Sequence, residues 1–340
     1  MLDKSAKVGV GRMSVELEQQ DSPPGPVTEA GFVVGANLPW WSYGGDFGAN
    51  VWAPEGGLAH LASLQALEDV FKGLAADGMR WVRWFLLCDG RAGIEWDPDG
   101  EPLGLDRFVL PDLAAALDLA ERHGLKLVLT IFDFPWFGSG REAGGVQLGG
   151  RSKTVADDGQ RERLLDTVVE PILSQYGRSG AVSAWDIVNE PEWATRAFGG
   201  RASRGAIVAE EMRAFIGQVV ERIHGRTIHQ ATVGLASAKG LPLVRDLGLD
   251  LYQIHWYDLL EADSPLDRPV SALELDRPVL LGEFPTRGSA RSAASILETA
   301  QASGYAGALA WSVRTSDPAS DYPGQATEIA AWDRARALEA

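Results

Sequence analysis

Cysteine is almost missing from this chain of 340 residues, which holds a single one, Cys88. One cysteine cannot form a disulfide within the chain and cannot build a cysteine-based metal site. Histidine is scarce as well: the five histidines include no His-Glu-x-x-His pair and no other zinc-binding spacing. The Gly-x-Ser-x-Gly nucleophile elbow is also absent from the sequence. We therefore expect neither a metal nor another cofactor.

Positive charge and long apolar runs are also in short supply. The chain has 31 basic against 47 acidic residues, a formal net charge of -16, and no basic block. Because nucleic acids and anionic membranes are bound through basic residues, we expect neither as a partner. No run approaches the ~18–20 apolar residues of a membrane span, and no apolar signal segment of about 7–15 residues stands near the N-terminus. We expect a cytoplasmic monomer as given, or a secreted one if a signal was removed.

Short apolar runs alternate with longer amphipathic segments after residue 30. Several runs are apolar almost throughout, as in parallel strands whose outer face is covered. The segments between them carry apolar residues at three- and four-residue spacing, which predicts helices, shorter after the fifth and sixth runs. The eight predicted strands are FVVGAN (32–37), RWVRWFL (80–86), KLVLTIF (126–132), VSAWDIVN (182–189), TIHQATVGL (227–235), LYQIHWY (251–257), PVLLGEF (278–284) and GALAWSV (307–313).

Eight strand-then-helix units without a break in composition predict one α/β domain, a single (β/α)8 TIM barrel over residues 31–340. Residues 1–30 are polar and rich in proline and glycine, which predicts a disordered or loosely docked arm. A doubly wound open sheet is the alternative fold. Such a sheet usually has a glycine-rich phosphate loop after its first strand, and "GANLPWWSYGGDFG" is no such loop. Long segments after the second and third strands predict loops at the barrel rim.

Polar and aromatic residues gather where the predicted strands end. Active sites of such barrels lie at the C-terminal ends of the strands. Flat indoles with polar groups between them suit a sugar ring, which stacks on an aromatic face and hydrogen-bonds through its hydroxyls. Tryptophans can instead fill the barrel top and the helix interface, which is our interpretation of Trp81, Trp185 and Trp332. The candidate site residues are Asn37, Trp40, Arg83, Asp133, Trp136, Asn189, Glu190, His255, Tyr257, Glu283 and Trp311.

Two glutamates stand at the ends of apolar strands. Glu190 ends the fourth, in "WDIVNEP", and Glu283 ends the seventh, in "LLGEF". A buried carboxylate is costly unless it is paired, so either one alone could be a structural ion-pair partner. Together, across one barrel mouth, they can flank a glycosidic bond as acid/base and nucleophile. Retaining chemistry requires a carboxyl separation of about 5–5.5 Å, and inversion a longer one.

The two motifs, about 90 residues apart, resemble those of the clan A retaining glycoside hydrolases, and most of all family 5, which contains cellulases and β-mannanases. The resemblance implies that Glu190 is the acid/base and Glu283 the nucleophile. It also implies that Asn189 hydrogen-bonds the 2-hydroxyl of the reacting sugar. Arg83 matches the arginine that keeps the nucleophile ionised.

The same resemblance extends to further strand ends. His255 and Tyr257 match the family's His-x-Tyr, and Trp311 matches the tryptophan that floors the −1 subsite. Asp133 departs from the family, which commonly has a histidine there, so the exact sugar stays open. The resemblance implies a β-mannan or β-glucan type of carbohydrate substrate. The alternatives are a non-catalytic carbohydrate-binding barrel and an exo-acting β-glycosidase or transglycosidase on small glycosides.

Overall fold

Eight parallel strands close into a barrel, with each strand beside its neighbour in the chain and the first beside the last. The computed structural model describes residues 31–59, 61–196, 198, 207–314 and 317–339. The predicted arm, residues 1–30, lies outside the described residues. The predicted TIM barrel is confirmed, since a closed sheet leaves no place for the open-sheet alternative.

Every predicted run coincides with one barrel strand to within a few residues at each end. The fifth strand starts later than predicted because Thr227 caps the preceding helix, donating its amide to the carbonyl of Ile223 at 2.8 Å. The sixth stops earlier because Tyr257 leads into a 3₁₀ turn. The strands are Val33–Asn37 (β1), Trp81–Phe85 (β2), Lys126–Asp133 (β3), Val182–Asn189 (β4), Gln230–Leu235 (β5), Tyr252–His255 (β6), Val279–Pro285 (β7) and Gly307–Trp311 (β8).

Helices cover the outside of the barrel. The helix from 109 to 122 shows the predicted end signals: Pro111 is in its first turn, and Gly124, with a φ of +68°, lies two residues after its last residue. The π-helical turn Leu165–Val169 joins two of the helices. The helices are Leu61–Ala76 (α1), Val109–Arg122 (α2), Lys153–Ala156 (α3), Asp158–Leu164 (α4), Glu170–Tyr176 (α5), Ala209–Arg226 (α6), Ala293–Ala302 (α7) and Tyr322–Glu339 (α8).

Short elements occupy the loops at the carboxyl end of the barrel. After β5 and β6 the described chain forms 3₁₀ turns in place of α-helices, at Ala238–Leu243, Asp258–Leu260 and Val270–Leu273. The predicted rim loops each contain a hairpin: Ile94–Trp96 pairs with Pro102–Leu105, and Arg141–Ala143 with Val146–Leu148. Two glycines with positive φ turn the second hairpin, as tight hairpin turns require.

The apolar core lies in two places. A large cluster fills the space between sheet and helices, and a smaller one, near the amino-terminal ends of the strands, plugs the barrel. Trp81 belongs to the plug, Trp185 is fully buried in the large cluster, and Trp332 packs edge-on against Phe32, so the packing interpretation of all three is confirmed. Among the described helices, none is both long and apolar enough to cross a membrane.

Candidate active site

A cavity of about 720 Å³ opens at the carboxyl ends of the strands. Its wall contains seven of the eleven candidate residues, which the sequence spreads over more than 270 positions. The barrel topology brings them together because the carboxyl ends of parallel strands meet at one rim. The seven are Trp40, Asp133, Asn189, Glu190, Tyr257, Glu283 and Trp311.

Glu190 occupies a bend at the exit of β4. Its φ of 46° and ψ of 53° are left-handed, a conformation that costs a residue with a side chain about 1–3 kcal/mol. The bend is held by a 2.6 Å hydrogen bond from the amide of Glu190 to the carbonyl of Gly234 and by Pro191, which starts a 3₁₀ turn. The strand therefore ends by turning this side chain into the cavity.

Two neutral rings contact the carboxyl group of Glu190. His255 Nδ1 lies 2.9 Å from Oε1, and Trp193 Nε1 donates to Oε2 at 2.8 Å. Burial lowers the pKa of His255 to about 4, so the imidazole is neutral at ordinary pH. Burial raises the pKa of Glu190, and the hydrogen bond from Trp193 opposes that rise. A carboxyl group without a cation in direct contact holds its proton more readily.

Glu283, near the end of β7, has a different set of neighbours. Arg83 Nη1 donates to its Oε1 at 2.8 Å, and the hydroxyl of Tyr257 donates to its Oε2 at 2.7 Å. Burial raises the pKa of Glu283, while Arg83 and Tyr257 stabilise its charged form. The side chain is buried, with 3% exposed. Since the cation contacts Glu283 and the neutral rings contact Glu190, the site favours charge on the first and a proton on the second.

The two carboxyl groups face each other closely. One oxygen of Glu190, one oxygen of Glu283 and a ring nitrogen of His255 all lie within 4.8 Å of one another. So close an approach of the two nearest oxygens favours the roughly 5–5.5 Å carboxyl separation of retaining glycosidases over the 6.5–9.5 Å of inverting ones.

Asn189, next to Glu190, is oriented by two partners. Its Oδ1 accepts from Arg83 Nη2 at 2.8 Å, and its Nδ2 donates to Asp133 Oδ1 at 2.9 Å. Tyr43 donates to the other oxygen of Asp133 at 3.4 Å. Burial raises the pKa of Asp133 to about 7. The amide thus has a fixed orientation, with one N–H left to point elsewhere.

Known proteins resemble this chain over most of its length. No protein-family model matches it. It is 26% identical to a mannan endo-1,4-β-mannosidase of Mytilus edulis over 323 residues, 83% of each chain. Its fold matches an endo-1,4-β-mannanase from Eisenia fetida, with a TM-score of 0.73, 25% identity, and coverage of 88% of this chain and 90% of the other. A β-mannanase structure from Mytilus edulis matches with a TM-score of 0.71, 24% identity and the same coverage. The chain is a glycoside hydrolase that resembles family 5 of clan A.

Three candidate residues of this glycoside hydrolase lie beneath the cavity and do not line its wall. Asn37, Arg83 and His255 are fully buried. Asn37 accepts from Arg83 Nη1 at 3.2 Å and donates to the carbonyl of Gly282 at 2.9 Å. Arg83 and His255 contact the two glutamates, as the resemblance implies for Arg83. The prediction that Asn37 contacts the sugar is wrong, because its side chain is fully buried and hydrogen-bonded to Arg83 and Gly282.

The tryptophans of the glycoside hydrolase divide into two groups. Trp311 and Trp40 line the cavity with their ring centroids 6.3 Å apart and nearly perpendicular, at 78°. Trp311 is anchored by a 3.0 Å hydrogen bond from Nε1 to Asp317. Trp136 is fully buried in the core, where it packs on Phe132. The prediction that Trp136 stacks on sugar is therefore wrong.

Tyr43, Trp193 and Glu192 of the glycoside hydrolase are among the wall residues that were not predicted from the sequence. Tyr43 and Trp193 contact the predicted residues directly. Glu192 is 5% exposed, and burial raises its pKa to about 8. Trp193 and Glu192 stand within three residues of Glu190, so closeness to the motif was a usable signal for them. Tyr43 follows β1 by several residues, and its position depends on the loop.

The cluster of Glu190, His255 and Glu283 has the atoms to bind a divalent cation. Both oxygens of Glu283 already accept hydrogen bonds, and one of the donors is the Arg83 guanidinium. A cation at this point would face the positive charge of Arg83 at close range. The donor set therefore fits a pair of reacting carboxyl groups better than a resident metal.

Proposed function

We propose that this glycoside hydrolase cleaves internal bonds of β-1,4-linked mannan, with Glu283 as nucleophile and Glu190 as acid/base. The observation that carries the proposal is the close carboxyl pair, in which one member contacts a buried guanidinium and the other contacts two neutral rings. The substrate comes from the relatives: those of Mytilus edulis and Eisenia fetida are named as 1,4-β-mannan-cleaving enzymes.

The first step forms a covalent glycosyl–enzyme. An oxygen of Glu283 attacks the anomeric carbon while the bond from that carbon to the glycosidic oxygen breaks. Glu190 gives its proton to the departing oxygen, so the leaving chain is released as an alcohol. Arg83 and Tyr257, which donate to Glu283, hold the attacking carboxylate in place.

The second step frees the sugar. Glu190, now ionised, takes a proton from water as the water oxygen attacks the anomeric carbon, and the bond to Glu283 breaks. Two displacements at one carbon retain its configuration. Asn189 supports both steps, because the N–H that Asp133 leaves free can donate to the 2-hydroxyl of the reacting sugar.

Loops from several sides of the barrel mouth contribute to the cavity wall. Trp40 and Asp317 come from the loops after β1 and β8, and Lys239 and Leu259 come from the loops after β5 and β6. A wall built from these separate loops can contact sugars on either side of the cleaved bond. This supports cleavage inside a chain over removal of single end sugars.

A substrate panel tests the proposal. The enzyme is incubated with galactomannan, mannohexaose, carboxymethylcellulose and cellohexaose, and products are separated by chromatography, with Glu283→Ala as the matched blank. We expect hydrolysis of the mannans, with products of several lengths and an early fall in polymer viscosity. Activity on the glucans alone would overturn the substrate. Release of mannose alone would overturn internal cleavage, and inactivity of the wild type on the whole panel would return the binding-barrel alternative.

The remaining expectations about partners and assembly belong to the same proposal. We propose carbohydrate as the partner and a monomer as the assembly. Light scattering after gel filtration checks the assembly, with 36.6 kDa as the expected mass. A mass twice as large would contradict it.

A further inference from the structure

A second buried carboxylate lies beneath the reacting pair. Asp186 is on β4, three residues before Asn189, and is fully buried. Strand alternation would send these two side chains to opposite faces, but the pairing of β4 with β5 shifts register between them. Both side chains consequently point into the barrel, and both contact Arg83.

Four donors converge on Asp186. They come from four different strands, and three of them share the oxygen Oδ2, so the group is fully satisfied as a carboxylate. Gly234 contributes one donor, and its missing side chain matters too, because a Cβ there would lie 2.6 Å from Arg83 Nη2. The donors are Arg83 Nε (2.8 Å), Thr130 Oγ1 (2.8 Å), Gln253 Nε2 (3.2 Å) and the amide of Gly234 (2.9 Å).

One guanidinium therefore serves two buried carboxylates. Arg83 donates through Nε to Asp186 and through Nη1 to Glu283, both at 2.8 Å. The three groups carry a net charge of −1 when all are ionised. Glu283 shares the Arg83 cation with Asp186. In a pair of Arg83 and Glu283 alone, the whole positive charge of Arg83 would act on Glu283. A carboxylate whose charge is fully matched by a cation is a weaker base and a weaker nucleophile.

We propose that Asp186 is a positioning residue that holds Arg83 in place and offsets part of its positive charge. Glu283 therefore keeps both its orientation and its nucleophilicity. The proposal rests on the proposed function, in which Glu283 attacks the sugar. Groups facing Glu283 from the other strands are Arg83, His255, Tyr257 and Glu190. Only Arg83 among these also contacts Asp186.

The test is the pH profile of kcat/KM, whose acidic limb reports the ionisation of Glu283 in the free enzyme. In Asp186→Asn the negative charge is gone and Arg83 acts on Glu283 alone. The charged form of Glu283 is then favoured, its pKa falls, and the acidic limb moves to lower pH by about one unit, while the plateau falls about tenfold or more. Asp186→Ser removes the charge without placing an N–H against the amide of Gly234, and we expect the same shift from it.

Thr130→Val is the matched control. It removes one donor to the same carboxylate and keeps the charge of Asp186, so the acidic limb should stay in place even where stability falls. An unmoved limb in the folded charge-removing variants would overturn the proposal, and so would an equal shift in Thr130→Val.

Failure of this inference can be told from failure of the proposed function. If the wild type hydrolyses no glycoside, the proposed function has failed. If the wild type is active and the acidic limb lies at the same pH in the wild type and in the charge-removing variants, the charge-sharing role alone has failed. Asp186 is then a structural ion-pair partner.

Discussion

The indole nitrogen of Trp193 donates a 2.8 Å hydrogen bond to Oε2 of Glu190, from a 3₁₀ turn that begins directly after that glutamate. The donor stabilises the carboxylate form and so opposes the rise in the pKa of Glu190 that burial causes. Trp193 is 38% exposed, so it can be changed at little cost to the core.

Trp193→Phe should move the alkaline limb of kcat/KM to higher pH. Glu190 must be protonated to act as acid, and activity is lost as pH rises through its pKa. Without the indole donor that pKa rises, and one hydrogen bond of about 1 kcal/mol corresponds to roughly 0.5–1 pH unit. The acidic limb serves as the internal control and should stay in place. A downward or absent shift of the alkaline limb would show that the contact does not tune Glu190.

Asp133→Asn should move the same limb in the opposite direction. Burial raises the pKa of Asp133 to about 7, and its charge and that of Glu190 repel each other. Above that pH an ionised Asp133 makes it harder for Glu190 to lose its proton. Asparagine removes the charge but keeps an acceptor for Asn189, so we expect the alkaline limb at lower pH with a modest change in KM. A limb that moves upward would contradict this electrostatic coupling.

Trp311→Ala should lower kcat/KM, because the sugar loses an aromatic stacking surface. The lost stacking of about 0.5–1.5 kcal/mol predicts roughly a two- to twelvefold lower kcat/KM on mannohexaose. Trp136→Phe is the comparison, because Trp136 is fully buried and donates to Thr154 in the core. That variant should lower the melting temperature and leave kcat/KM unchanged. Equal losses of kcat/KM in the two variants would mean that Trp136 reaches the sugar after all.

Asp112→Ala should destabilise the fold. Its buried carboxylate, on α2, accepts from three backbone amides of the loop after β1, those of Gly48, Gly57 and Ala59. Leaving these donors unpaired should lower the free energy of unfolding by about 2–4 kcal/mol in urea titrations. Asp118→Ala, on the same helix, removes only an exposed pair with Arg122 and should change it by less than about 0.5 kcal/mol. Similar losses in both variants would contradict the anchoring role.

The barrel and the glutamate pair could be predicted from the sequence because each depends on local pattern. Runs such as VSAWDIVN are apolar almost throughout and end in polar residues. The apolar part predicts where the strand lies, and the polar end predicts which residues lie at the barrel rim. The direction of a side chain at the rim is not local. Trp136 stands three residues after β3, yet it turns inward because the 3₁₀ turn Phe134–Phe137 packs it against Phe132. Nothing in the local sequence distinguishes Trp136 from Trp40.

The supporting residues depend on contacts between distant strands. Asp186 looks like one more polar residue in an apolar strand, and its role appears only when a register shift turns it toward Arg83, 103 positions away. Asn37 shows the reverse, since it was expected at the sugar and instead holds Arg83 from below. These pairings are set by barrel closure, which no local window of sequence contains.

The central claim is that Glu283 forms the bond to the sugar while Glu190 handles the proton. The most direct measurement is peptide mapping by mass spectrometry after incubation with a dinitrophenyl β-mannobioside fluorinated at C2 of the reacting sugar, which slows release of the intermediate. We predict one fluoromannobiosyl group per chain, attached to Glu283. A label on Glu190, or steady hydrolysis of unfluorinated substrate by Glu283→Ala, would contradict the account.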